Sequence, residues 1–252
     1  YSIIASSVSW VKYWFLVCVI LTLTCSCGKD STCFKGTGKI TKEQRVISAD
    51  ITHIDTQDNI DIIFTQSNTP NLTVEGGVNL LPFINTDISG NSLTISSDNK
   101  CSMFRDNSIP ITVYLSLPNI NRIDYAGKGD VISTNTIIVS SLDVESRGGT
   151  GSFNLSVNVD NLSIRQHSGP ADFTFTGSAN NSYVYTLGNG WFYLNYLMTN
   201  TAHVNNSGTG DVAIFAINSL LIELTSIGNI NYSGDPVVTI SNHSGSGKLI
   251  KK

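Results

Sequence analysis

Through the second half of the chain, apolar and polar residues alternate in short runs that return at a near-constant step. One apolar column holds Val131, Phe153, Phe173, Phe192, Val212, Ile230 and Leu249. A second, two residues further on, holds Ser133, Leu155, Phe175, Leu194, Ile214, Tyr232 and Lys251. The positions between and before them are mostly polar, with Asp130, Ser152, Asp172, Asp211 and Asn229 in one column. Alternation with period 2 predicts strands that bury one face.

Each run follows a phrase of small residues. The phrase reads Gly127-Lys128-Gly129, Gly149-Thr150-Gly151, Gly169-Pro170-Ala171, Gly188-Asn189-Gly190 and Gly208-Thr209-Gly210, with looser copies at Ser226-Ile227-Gly228 and Gly245-Ser246-Gly247. Its last residue recurs at steps of 22, 20, 19, 20, 18 and 19. A fixed step of this size marks a stacked repeat, and it is too short to hold a helix as well as strands and turns. The prediction is an all-β, single-stranded parallel β-helix of about 20 residues per coil, with coils stacked about 4.8 Å apart. Coils of this length fit a right-handed helix better than a left-handed hexapeptide one. The small residues mark corners.

Upstream of the corners, Leu142/Val144, Leu162/Ile164 and Val238/Ile240 align as inward pairs, nine and seven residues before the last small residue. In the coils between, the same spacing lands on Asn181, Thr201 and His203, so those coils carry bulges or shifted corners.

The first half alternates without the small-residue phrase. Runs such as Asn59–Phe64, Asn71–Val74, Ser92–Ile95, Ile111–Leu115 and Ile120–Ile123 are separated by turn signals at Asn68-Thr69-Pro70, Gly76-Gly77 and Gly90-Asn91. Residues 39–125 therefore read as irregular early coils or a cap, and residues 126–252 as regular coils. A cap has a physical purpose, because an open end coil is an aggregation edge. At the far end Lys248, Lys251 and Lys252 discourage edge-to-edge growth.

The beginning of the chain carries an address. An apolar run from Tyr13 to Thr24 follows Lys12, too short to cross a bilayer comfortably and suited to a signal-peptide core. It ends in Thr24-Cys25-Ser26-Cys27-Gly28-Lys29-Asp30, which resembles a bacterial lipobox. Cys27 is the expected lipidation site, with Cys25 the alternative, although Thr24 stands where Leu is usual. Lys29-Asp30 resembles a surface-export signal of Bacteroidetes lipoproteins. An ordinary secretory peptide, or an anchor reaching back to Ile3, is the plainer reading. Residues 1–26 are then signal peptide and residues 27–38 a tether. The expected location is the bacterial outer membrane or cell surface, held by lipid (palmitate) on Cys27. Cys33 and Cys101 remain in an oxidising compartment, where they either pair or stay as thiols.

Composition narrows the function. Charged residues make up 13% of the chain and the net charge is −4, so no basic surface for nucleic acid is offered. No Cys/His ligand spacing follows the anchor, so neither metal nor cofactor is expected. His53, His167, His203 and His243 are scattered, and His167 and His243 share a repeat position four coils apart. Gly127-x-Gly129 leads into a strand, so it is no dinucleotide fingerprint. The corner aspartates read as turn formers that bond their own backbone rather than as acid/base pairs.

Taken together, the opening Ile60-Asp61-Ile62 strand, the Leu117-Pro118-Asn119-Ile120 turn, the small-Gly-x-Gly-Asp-Val phrases at 126–131 and 207–212, and Gly228-Asn229-Ile230 resemble the auto-transporter adhesin head GIN domain family, a domain of unknown function common in Bacteroidetes lipoproteins. The resemblance covers roughly residues 46 to 249. It implies a β-helical surface domain for which adhesion has been proposed, and it offers no catalytic residues to carry over.

One coil departs from the polar outer columns by placing Trp191 and Tyr193 there, with Tyr196 after them and Tyr183 and Tyr185 before. These aromatics are the candidate ligand-binding residues, since sugars and protein partners stack on exposed rings. The competing readings are that a turn at Asn195–Thr201 covers them or that a second copy of the chain does. The expected function is a non-enzymatic, surface-anchored lipoprotein that presents a flat β wall to a glycan or to a host or envelope protein, with oligomerisation left open. The alternative is a carbohydrate-active β-helix enzyme of the polysaccharide lyase or hydrolase kind, which needs paired carboxylates.

Overall fold

The computed structural model describes residues 36–99 and 110–252. The proposed signal peptide, the lipid-bearing Cys27, and Cys33 and Cys101 lie outside the described residues. Among the described residues strands account for 67% and helix for 1%, in stacked parallel coils of about 20 residues that make a β-solenoid of about six turns.

The strands in chain order are β1 (Ile40–Arg45), β2 (His53–Asp58), β3 (Ile60–Gln66), β4 (Asn71–Gly77), β5 (Ile84–Ser89), β6 (Ser92–Ser97), β7 (Ile111–Leu117), β8 (Arg122–Gly127), β9 (Val131–Ser133), β10 (Ile137–Arg147), β11 (Ser152–Ser168), β12 (Asp172–Thr186), β13 (Phe192–Asn206), β14 (Val212–Leu224), β15 (Ile230–Ser233), β16 (Val237–His243) and β17 (Leu249–Lys251). A 3-10 turn at Leu81–Phe83 precedes β5.

Each coil runs up one wall, turns at the small-residue corner, and returns along a second wall. The first wall stacks β2, β8, the end of β10, and the C-terminal halves of β11 to β14, then β16, all parallel. The second wall stacks β3, β9, the N-terminal halves of β11 to β14, then β15 and β17, also parallel. The long strands bend between the walls, where Asn180 donates to the Asp160 carboxylate at 2.7 Å and Asn200 donates to the Asn180 carbonyl at 3.0 Å. Such amide ladders satisfy neighbouring coils at one position per turn.

The core lies between the walls. Phe153 pairs with Phe173, Phe173 with Phe192, and Phe192 with Val212, which places them in one interior file. Their rings stack, with centroids 4.9 Å apart for Phe153–Phe173 and 4.6 Å for Phe173–Phe192, near the rung spacing. Tyr125 continues the file edge-on at 4.9 Å from Phe153. Leu155, Phe175, Leu194 and Ile214, the second predicted column, are fully buried as well.

The corners explain the sequence phrase. A Cβ built on Gly190 would fall inside the van der Waals shell of the Ala171 carbonyl oxygen, and one on Gly210 would do the same to Gly190. Backbone stacks directly on backbone there, so a side chain has no room. Beneath the corner runs an inward polar column. Gln166 donates to the carbonyls of Gly169 and Ala171 at 3.0 and 2.8 Å and accepts from the Thr186 hydroxyl at 3.0 Å. Asn206 donates to the Gly210 carbonyl at 3.1 Å and accepts from Gly208 N at 3.1 Å. In the first regular corner Tyr125 takes this place, its hydroxyl donating to Gly129 O at 2.6 Å and accepting from Gly151 N at 2.8 Å. Burial first of all pushes that phenol up to about 12, so it stays a donor.

The apparent register slip is a matter of corner length. The inward pairs of the middle coils are Ser182/Val184 and Ala202/Val204, in line with Leu162/Ile164. These coils reach the last small residue of their corner eight residues after the first inward position, where the Leu142 and Leu162 coils take nine. His243 consequently aligns through Leu224, Asn206 and Thr186 with Gln166, not with His167 as the spacing suggested.

Upstream, the pattern changes. β2 and β3 make a coil in register with β8 and β9, turning at Asp58 rather than at glycine. Beyond it β7 pairs parallel with β3, β4 antiparallel with β7, and β1 antiparallel with β4, while β6 lies parallel to β2 and β5 closes antiparallel on β6. Arg45 ties these strands together, donating to the carbonyls of Ile84 at 2.6 Å and Leu81 at 3.1 Å and to the Thr86 hydroxyl at 3.1 Å.

Candidate functional site

On the outer face of the second wall, the first column after each corner is polar and bonds the next coil. Asp130 accepts from Ser152 N at 2.9 Å, Asp172 from Trp191 N at 2.7 Å, Asp211 from Asn229 N at 2.7 Å and Asn229 from Lys248 N at 2.9 Å. The corner aspartates are thus structural, but they cap the neighbouring coil's backbone instead of their own.

The aromatic candidates do not form one strip. Trp191 and Tyr193 stand on the second wall, 46% and 41% exposed, with ring centroids 6.3 Å apart and nearly parallel. Tyr183 and Tyr185 are on the first wall, on the other side of the Gly188–Gly190 corner. No turn covers Trp191 and Tyr193, because residues 192–206 form one strand. That strand bulges at Asn195–Leu197, since Leu194 pairs with Ile214 and Met198 with Phe215. The bulge buries Leu197 and leaves Tyr196 and Met198 75% and 57% exposed, which extends the aromatic patch.

The first wall holds a charged network that the sequence reading passed over. Arg122 pairs with Asp124 at 2.7 Å, Asp143 at 3.2 Å and Glu145 at 2.9 Å. Arg165 pairs with Asp143 at 2.5 Å and Glu145 at 3.0 Å, while Arg147 and His167 also meet Glu145, which is almost fully buried. His53 meets Asp124 at 2.8 Å. Burial pulls the Asp124 carboxyl up, but the hydrogen bonds of Arg122 and His53 outweigh it and hold it below the usual carboxylate range. The hydrogen bond to Asp124 in turn raises Arg122. The signal was present as Arg122-x-Asp124, Asp143-x-Glu145-x-Arg147 and Arg165-x-His167 one coil apart. Three carboxylates converge, yet each is neutralised by arginine, which leaves no protonatable acid opposite a free base. Among the described residues no group of His, Cys, Asp and Glu could hold a metal ion.

Next along this wall, the Tyr183 and His203 rings lie 5.0 Å apart, and His203 meets Glu223 at 2.7 Å. Burial, then the Glu223 charge, raise the Tyr183 hydroxyl, which therefore stays protonated. Beside them a groove of about 330 Å³ opens between the Asx bend and the wall, lined by Asn161, Ser163, Asn181, Ser182, Tyr183 and Thr201 among others.

The coil fold is shared with solved structures. A "putative adhesin" from Bacteroides fragilis aligns at a TM-score of 0.80 and 23% identity, over 86% of this chain and 100% of that one. A "putative adhesin" from Parabacteroides merdae aligns at 0.62 and 20% identity, over 86% and 98% of the two chains. A "putative lipid binding protein" from Parabacteroides distasonis aligns at 0.65 and 19% identity, over 86% and 99%. At these identities they share the fold. No curated protein matches the chain. The family described as "Putative auto-transporter adhesin, head GIN domain" matches residues 50–236, from just before the first coil to the start of the last, and the chain belongs to that family.

Proposed function

We propose that this chain is a non-enzymatic binding module of the cell surface, whose second wall holds a glycan or protein ligand on Trp191, Tyr193 and Tyr196. The observation that carries this reading is the exposed, near-parallel Trp191–Tyr193 pair, where Trp191 interrupts an outward column of Asp130, Ser152, Asp172, Asp211 and Asn229 and Tyr193 stands between Thr174 and Ala213 in the next. Aromatic area on a wall already rigidified by its ladder loses little entropy on binding. The adhesin family and the adhesin-named neighbours agree with a surface role. Lipid on Cys27 would tether the module to the outer membrane, a reading that rests on the lipobox alone and that the mass of the mature N-terminal peptide checks.

The carbohydrate-active alternative would have to use the Asp124, Asp143 and Glu145 group. Its arginine pairing argues against it, because an acid catalyst needs a raised pKa and a base needs a free lone pair aimed at substrate. The test is a double variant, Trp191→Ala with Tyr193→Ala, screened on glycan and extracellular-matrix arrays beside polysaccharide turnover assays. Wild type is expected to bind without turnover, and the variant to lose binding at an unchanged melting temperature. Binding that survives the double variant rules out the strip, and turnover by wild type rules out the non-enzymatic reading.

A further inference from the structure

The aromatic strip of the second wall continues past Tyr196. Beyond the bulge β13 presents Met198 outward, and the next rung, β14, presents Ala213, Phe215 and Ile217. Met198 stands opposite Phe215, and Ile217 is 43% exposed. From Trp191 to Met198 the strip is roughly 20 Å long at the rise of a strand. The rungs on either side are polar, with Thr174, Thr176 and Ser178 on β12 and Asn231 and Ser233 on β15. An exposed apolar strip with a polar rim has the make-up of a protein interface, in which aromatic residues, methionine and arginine gather.

The strip is charged at one end alone. Asp172 and Asp211 flank Trp191 in its column, one rung to either side, and both are half-buried. Their hydrogen bonds come from neutral donors. Asp172 accepts from Trp191 N at 2.7 Å, and Asp211 accepts from Asn229 N at 2.7 Å and from the Asn229 amide at 3.2 Å. Among the described residues neither carboxylate has an ion pair, whereas Asp124, Asp143 and Glu145 of the first wall each meet an arginine. At its other end the strip reaches the Asn180–Asn200 ladder, which is neutral.

This gradient selects among ligands. A glycan long enough to cover the strip would lay hydroxyls on Met198, Phe215 and Ile217, which can bond none of them. A neutral ligand would also leave both carboxylates without a counter-charge. An arginine answers both groups at once, because its planar guanidinium stacks on an indole while its edge pairs with a carboxylate. The backbone of β12 to β14 is already in the ladder, so a partner meets this face with side chains rather than by adding a strand.

We propose that the ligand of this wall is a protein surface that leads with an arginine. The guanidinium lies over Trp191 and pairs with Asp172 or Asp211, and apolar side chains follow along Tyr196, Met198, Phe215 and Ile217. This rests on the reading of the Trp191–Tyr193 strip given above and names its partner.

The probe is a phage-displayed library of random peptides panned on the folded chain, with glycan arrays run beside it. Recovered peptides should carry an arginine beside a cluster of apolar residues, and synthetic copies should bind more weakly as salt rises. Replacing that arginine by glutamine should weaken binding about tenfold. Asp172→Asn with Asp211→Asn should do the same at an unchanged melting temperature, since asparagine keeps an acceptor for Trp191 N and Asn229 N. Combined, the peptide and protein changes should cost little more than either alone, because they remove one contact. Ile217→Glu, at an exposed outward position, should abolish peptide binding. The proposal is overturned if no peptide is recovered, if recovered peptides lack a cation, or if the aspartate variant or Ile217→Glu binds as wild type does. Glycan binding that needs Trp191 and Tyr193, without any peptide binding, would overturn this proposal and leave the strip standing. Peptide binding that survives Trp191→Ala with Tyr193→Ala would overturn both.

Discussion

The coil of β2 and β3 pairs residue for residue with the coil of β8 and β9, from His53–Arg122 through Asp58–Gly127 and on to Phe64–Ser133. Their corners nevertheless differ. The later one turns through Gly127-Lys128-Gly129, whose missing side chains let it settle onto the carbonyls of Asp58 and Ile60. The earlier one turns through Asp58 at a φ of +64°, a left-handed conformation that aspartate tolerates better than most residues. Asp58 has space because no glycine corner precedes it; its carboxylate instead accepts from Ser97 N at 2.7 Å and joins the coil to β6. At Gly129, Gly190 and Gly210 glycine is therefore demanded by the coil on which the corner rests, while at Gly169 a φ of +89° adds the demand of the turn itself.

Three substitutions probe that contrast. Gly190→Ala should be the most damaging, costing roughly 3 kcal/mol or more, because its methyl group meets the backbone oxygen of Ala171 and neither rung can yield alone. Chemical denaturation measures the loss, and a variant as stable as wild type would remove the stacking argument. In the capping strands, Arg45→Ala should cost about 1.5–3 kcal/mol by stranding the carbonyls of Ile84 and Leu81. Hydrogen exchange should locate that loss in β1 and β5 and leave β12 to β14 protected, since a solenoid coil depends chiefly on its neighbours. Smallest should be Asp58→Gly, within about 1 kcal/mol of wild type, where relief of the positive φ offsets the lost bond to Ser97. A loss as large as that of Gly190→Ala would mean that the first corner is constrained like the rest.

The same contrast accounts for what could be read from the residues alone. The regular coils were legible because every rung repeats one constraint, so Phe153, Phe173, Phe192 and Val212 announce a common file. The capping strands were not, since β4 lies antiparallel to β1 and β7 through pairings as distant as Arg45 with Leu72 and Asn71 with Ser116, for which nothing local in the chain speaks. Trp191 and Tyr193 stood out as departures from a polar column. Tyr183 and Tyr185 were grouped with them because sequence proximity hides a corner. The inward pairs of the middle coils were hidden for a related reason: Ser182 and Ala202 fall in line with Leu162 only after the shorter corners are allowed for.

Rungs that rest on one another by backbone have a consequence for how such a molecule can change. Removing the nineteen residues from Asp172 to Gly190 would set Phe192 against Phe153 and Gly210 above the Ala171 corner, with inward positions again opposite inward positions. A cut of ten would turn the interior outward. Descendants of this chain can therefore grow or shrink by whole rungs, each carrying its own stretch of outer surface, while the remainder keeps its shape.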